Sequence, residues 1–136
     1  MKKLLAFLLA MALLISVSAT VFALSGMDSK TESGNIKIGN KTYHYDCVLR
    51  ASTAQFSARM TYEYYDVYIS CSANPTVSIY GDNVTGRSKS ATGQGSVSVS
   101  GDNSLSLNGN EVYGTIIWVQ GIYKIQTQRV ATINLT

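Results

Sequence analysis

From Asn35 onward, apolar side chains return at every second position, and no convincing stripe of period 3.6 replaces them. Successive side chains of a strand point to opposite faces, whereas a helix gathers residues three and four apart onto one side. A chain patterned this way is confined to β-structure with one buried face. Tyr43, Tyr45, Cys47 and Leu49 share one face of a strand spanning Thr42 to Arg50, with Thr42, His44, Asp46, Val48 and Arg50 on the other. Three large apolar groups and a cysteine mark the first face as core, so His44 and Asp46 are expected to point outward. Ile36 and Ile38 precede this strand across Gly39-Asn40, which is a hairpin signal.

Between Gln55 and Ser72 the alternation changes parity. Phe56, Ala58, Met60, Tyr62 and Tyr64 form the apolar set of the first half, and Tyr65, Val67, Ile69 and Cys71 that of the second. One straight strand cannot bury both sets on one side, because a one-residue slip turns every side chain over. The chain must therefore turn, bulge or cross between sheets near Tyr64–Asp66.

Ala73-Asn74-Pro75 reads as a break, since proline disfavours helical geometry at the residue before it, and Thr76 to Tyr80 reads as a short strand. Gly81 to Asn110 is rich in Gly, Ser and Asn and lacks aromatics. Within it Ser96–Ser100 and Ser104–Leu107 alternate strictly about Gly101-Asp102-Asn103. That predicts a strand–turn–strand with Val97, Val99, Leu105 and Leu107 toward the core and the serines toward water. Val84 to Gly95 reads as a loop. Val112 to Val119 is apolar on both faces, with Val112, Ile116 and Trp118 on one and Tyr113, Ile117 and Val119 on the other, which suits a central, covered strand. Gln120-Gly121 is read as a tight turn into Ile122–Thr127, and Val130–Leu135 as a final edge strand. The expectation is an all-β, antiparallel β-sandwich or partly open barrel of about eight to ten short strands.

The start of the chain is different. Lys2 and Lys3 precede Leu4–Val17, an almost unbroken apolar run, and Val21-Phe22-Ala23 supplies small residues at positions −3 and −1 of a cleavage site. That is the three-part pattern of a secretory signal peptide, cut after Ala23 and bacterial in style. An uncleaved anchor is the rival, because Leu4–Leu24 carries no charge and could just span a bilayer. The predicted organisation is a signal peptide over 1–23, a flexible polar tether over 24–34 and a single β domain over 35–136, secreted and extracellular. Lys2 and Lys3 contribute two of the three net positive charges. The mature domain is thus nearly neutral, with little electrostatic pull toward nucleic acid or anionic lipid, and no membrane association is expected after cleavage.

Cys47 and Cys71 are the only cysteines. In an exported chain an even count predicts a disulfide, with roughly 3.5 kcal/mol of stabilisation for a loop of that size. Two Cys and one His make a poor zinc ligand set, so no metal is expected.

His44 with Asp46 is half of a catalytic arrangement, but no nucleophile motif accompanies it. Glu63 and Asp66 are a close acid pair on opposite faces, unsuited to glycoside hydrolysis. Gly81-Asp82-Asn83 and Gly101-Asp102-Asn103 are explained by turn chemistry and are too sparse for calcium. No glycine-rich phosphate loop occurs, so neither nucleotide nor cofactor is expected. The composition is distinctive in its nine Tyr, six of them between Tyr43 and Tyr68. Tyr suits both strands and recognition surfaces. The function read from these residues is a small secreted, non-catalytic binding domain directed at a protein or cell-envelope surface. Its candidate binding residues are His44, Arg59, Glu63 and Tyr68. The alternatives are a secreted antagonist, a bacteriocin-like toxin or enzyme inhibitor presenting Gly81–Asn110, and a secreted hydrolase resting on His44 and Asp46.

Overall fold

The computed structural model of the protein describes residues 28–136. The signal segment, its cleavage site and the rival anchor all lie outside those residues. The described chain consists of eleven strands: β1 (Asp28–Ile38), β2 (Lys41–Ala51), β3 (Gln55–Tyr62), β4 (Ile69–Ile79), β5 (Asp82–Thr85), β6 (Lys89–Gly93), β7 (Ser96–Asp102), β8 (Ser104–Leu107), β9 (Asn110–Tyr113), β10 (Thr115–Ile125) and β11 (Gln128–Leu135). No helix occurs among the described residues. One sheet has the order β1-β2-β3-β7, and a second has the order β11-β10-β4-β5 with β6 also paired to β4. The hairpin β8-β9 forms a separate ribbon. Every pairing is antiparallel, and neither sheet closes into a barrel.

The parity of the sequence is legible in burial. Cys47, Leu49, Phe56, Ala58 and Met60 of the first sheet and Ile69, Cys71, Ala73, Val77, Ile116, Val119, Tyr123 and Ile133 of the second are all buried, and they belong to one hydrophobic cluster. The parity change of the Gln55–Ser72 stretch is a change of sheet. The chain leaves the first sheet after Tyr62 and enters the second at Ile69, with Val67 already buried. The Gly39-Asn40 hairpin also forms, and Gly39 takes φ 63° as the first of its two turn residues, as a two-residue hairpin loop demands.

Several local expectations are corrected. The polar segment over 28–34 is not a tether, because β1 pairs with β2 along its whole length, from Asp28↔Ala51 to Ile38↔Lys41. Backbone hydrogen bonds hold it, and Gly34 leaves room for the Tyr45 ring directly across the ladder. The loop expected at 84–95 contains β6 and the end of β5, both on β4. Ala73-Asn74-Pro75 does not break the chain, since β4 runs straight through it. Pro75 falls between the part of β4 paired to β5 and the part paired to β6. Its missing N–H therefore costs no bond on that side, and its carbonyl accepts from the Gly86 N–H at 2.9 Å.

Gln120-Gly121 is likewise not a turn but lies inside β10. A side chain at Gly121 would meet the Tyr123 ring at 2.9 Å, so the glycine clears space for an aromatic neighbour rather than bending the chain. The predicted faces of Val112–Val119 are also corrected. A register shift between Ile116 and Trp118 puts Ile116 and Val119 together on the buried face and leaves Trp118 half-buried on the other. Finally, β7 and β8 are not partners: β7 pairs with β3 and β8 with β9. Leu107 is consequently exposed, while Ser104 is buried.

The expected disulfide is absent, and Cys47 and Cys71 are both buried free thiols. The two lie on different sheets. Cys71 Sγ lies 3.8 Å from the carbonyl oxygens of Ala58 and Val97, on β3 and β7, whereas Cys47 sits on β2 opposite Met60. The sulfur of Cys71 is thus aimed at β3 and β7 rather than at β2, which carries Cys47.

Candidate functional site

The outward face of β2 builds a polar cluster around His44. The cross-strand partner of His44 is Asn35 and that of Asp46 is Ser33, both on β1. Imidazole Nδ1 lies 3.1 Å from Asn35 Oδ1, and Nε2 lies 3.1 Å from Asp46 Oδ1. The Ser33 hydroxyl donates to the same Asp46 oxygen. That hydrogen bond is the largest cause holding the Asp46 carboxyl below the ordinary carboxylate range, with partial burial opposing it and His44 adding to it. Glu63 closes the cluster, because the His44 N–H donates to its carboxylate at 3.1 Å and its own N–H donates to the His44 carbonyl at 3.1 Å.

Serine, aspartate and histidine are therefore adjacent, but in the wrong order for nucleophilic catalysis. The carboxylate stands between hydroxyl and imidazole, so the imidazole has no path to the Ser33 proton. The arrangement offers a hydrogen-bonding surface of hydroxyl, amide, imidazole and carboxylates. Ser33 and Asn35 belong to it, although Ser33 lies in the segment expected to be a tether. Their alternation opposite His44 and Asp46 is visible only once β1 is known to pair with β2.

Of the other candidate residues, Arg59 is exposed on β3 opposite Val48, four residues along β2 from His44. At about 3.3 Å per residue it is too distant to reach His44, and Asp46, its diagonal neighbour, bonds to Ser33 and His44 instead. Tyr68 is exposed at the end of the β3–β4 connection, its carbonyl accepting from the Gln126 N–H at 2.7 Å. The structure thus brings His44 and Glu63 together and leaves Arg59 and Tyr68 apart from them.

The same connection carries two further tyrosines that face solvent. Tyr64 was expected in the core but is 38% exposed, and Tyr65 is 73% exposed. Tyr64 packs tilted against Tyr43 with ring centroids 4.7 Å apart, and Tyr43 packs likewise on Tyr62 at 5.8 Å. The Tyr65 ring passes over Gly95 in the turn between β6 and β7. Burial pushes the pKa of the Tyr43 and Tyr62 hydroxyls above the ordinary tyrosine value, reinforced in Tyr43 by Tyr64 and in Tyr62 by Asp66. Among the described residues, the Tyr62 hydroxyl is buried without a hydrogen-bond partner.

Two grooves of about 470 Å³ mark the surface. One contains the Arg87–Glu111 ion pair, at 3.1 Å, together with Lys89 and Asp102, so its charges balance. The Asp102 carboxyl is held low mainly by the Ser104 hydroxyl and N–H. The other groove, on the outer face of β1–β2–β3–β7, contains Arg50 and Arg59 and no acid. Among the described residues no group of three or more His, Cys, Asp or Glu is placed to hold a metal ion. No family model, no curated protein and no solved structure matches the chain.

Proposed function

We propose that the chain is a small exported bacterial protein whose two sheets stack as a β-sandwich. It acts without catalysis, by binding a protein or cell-envelope surface. The observation that carries this reading is the β3–β4 connection, where Tyr64, Tyr65 and Tyr68 are 38%, 73% and 60% exposed within five residues. Tyrosine gives large, rigid contact area at little entropic cost, which is why it is enriched among interface anchors. The backbone that carries these rings is also held in place. The connection is tied to one sheet through the Glu63–His44 hydrogen bonds and to the β10–β11 turn through Tyr68 and Gln126. Glu63, next to Tyr64 in the chain and hydrogen-bonded to the His44 backbone, supplies a polar group at the edge of this surface.

The test is binding of the fluorescently labelled, exported protein to intact cells of the producing organism and of neighbouring strains. Saturable binding that Tyr65→Ala and Tyr68→Ala each weaken by about 1 kcal/mol or more, with unchanged thermal unfolding, supports the reading. Normal binding by both variants refutes the tyrosine surface. Growth inhibition of neighbouring strains by the pure protein would replace this reading with the antagonist one.

A further inference from the structure

The groove on the outer face of the first sheet is lined by two arginines and by no acid. Its walls carry Arg50 and Arg59 among the hydroxyl-bearing Ser29, Thr31, Ser57 and Ser98. Register makes the two arginines diagonal neighbours, because Arg50 pairs with Ser57 and Val48 with Arg59. Diagonal partners on one sheet face lie about 7–8 Å apart, within reach of one another's long side chains. Both guanidiniums keep their charge, because arginine does not lose its proton in proteins.

Neither arginine makes a salt bridge: among the described residues these are His44–Asp46, ionic only when the imidazole is protonated, and Arg87–Glu111. Asp46 is a diagonal neighbour of Arg59 on the side away from Arg50, because it pairs with Thr61, but its hydrogen bonds go to Ser33 and His44 and it does not line the groove. Asp28 adjoins Ser29, the partner of Arg50, and alternation turns its side chain to the other face. Two permanent positive charges therefore line a concave surface whose lining residues include no carboxylate.

We propose that this groove binds a tetrahedral oxyanion, the phosphate or sulfate ester group of an anionic polymer outside the cell. Each guanidinium can deliver two parallel N–H donors, and the surrounding hydroxyls add single donors from the groove walls. That supply exceeds what the two oxygens of a carboxylate accept, and it matches a group with three or four oxygens. The site is separate from the tyrosine surface and stands whether or not that surface binds a partner.

The experiment is titration of the purified full-length protein with inorganic phosphate, inorganic sulfate and acetate, followed by amide NMR shifts. Poly(glycerol phosphate) and dextran sulfate serve as polymer probes. Expected are shifts centred on β2, β3 and β7 with phosphate or sulfate, acetate being clearly weaker, and polymer binding that weakens as NaCl is raised. Arg50→Ala and Arg59→Ala should each weaken polymer binding by about tenfold, with thermal unfolding unchanged because both side chains are exposed. Arg59→Lys keeps the charge and loses the fork, so it should fall between wild type and Arg59→Ala. Preference for one polymer identifies whether the natural group is a phosphate or a sulfate ester. Absence of binding to every probe, acetate binding as tightly as phosphate and sulfate, or equal binding by the double alanine variant would overturn the assignment.

Discussion

Cys47 and Cys71 are both fully enclosed in one hydrophobic core, yet they approach it from different sheets and remain free thiols. The protein therefore rests on packing and backbone pairing rather than on a covalent staple. Unfolding in the absence of reductant should expose two labelable thiols per chain. Cys47→Ala should cost about 1 kcal/mol, the scale of a small core cavity, and not the 2–5 kcal/mol typical of a lost native disulfide. Protein that resists labelling after unfolding would show a bridge.

The same burial sets an alkaline limit on stability. Burial is the main cause pushing the Cys47 thiol from 9.0 to about 12 and the Cys71 thiol from 9.0 to about 11. It also raises the Tyr123 hydroxyl, which donates to the Val48 carbonyl at 2.6 Å. Above the unfolded-state value the unfolded chain has lost these protons while the folded chain still holds them, so stability must fall as pH rises. This contribution is complete below about pH 9 and is lost progressively up to the folded values. Urea midpoints measured from pH 8 to pH 11 should decline, and a Cys47→Ala, Cys71→Ala variant should decline less steeply.

Gly101 faces Phe56 directly across the β3–β7 ladder, and the phenyl ring occupies the space a side chain would need. Aromatic rings laid over glycines in a sheet fix register and fill the gap the glycine leaves. Gly101→Ala should displace the ring and cost about 1–3 kcal/mol, the scale of overpacking. A thermal midpoint equal to wild type would show that Phe56 can move freely.

Tyr80 is fully exposed at the β4–β5 turn, with φ 51° followed by Gly81 at 87°. Two-residue turns with both φ values positive favour Asn before Gly, which is the pair Asn108-Gly109 uses between β8 and β9. Tyr80→Asn should therefore stabilise the protein by about 0.5–1 kcal/mol, since Asn tolerates this backbone conformation more readily than Tyr. A lower denaturant midpoint would mean that the exposed ring makes a stabilising contact.

What was legible in the sequence follows from what side chains can report. Alternation in Tyr43–Leu49 and Phe56–Tyr62 reveals burial directly, and the parity change after Tyr62 locates the change of sheet. Strands without large apolar residues are invisible to that signal. Much of β1 and all of β6 are held by backbone ladders in which Ser, Thr, Gly and charged residues participate as well as any other. The bulge at Ile116–Trp118 reverses side-chain parity without any Gly or Pro to announce it. Gly121 misleads in the opposite sense, because it serves the Tyr123 ring rather than a turn. For the candidate site, His44 was recognisable as outward-facing, but its partners Ser33 and Asn35 depend on a strand pairing that no local pattern encodes.

The most direct measurement of the binding reading is amide hydrogen exchange on the purified protein, with and without isolated cell envelopes of the producing organism. Protection that appears on binding should concentrate at Glu63–Tyr68 and the adjoining His44 strand. Protection confined to the β8–β9 ribbon, or none under conditions where the protein sediments with the envelopes, would contradict it.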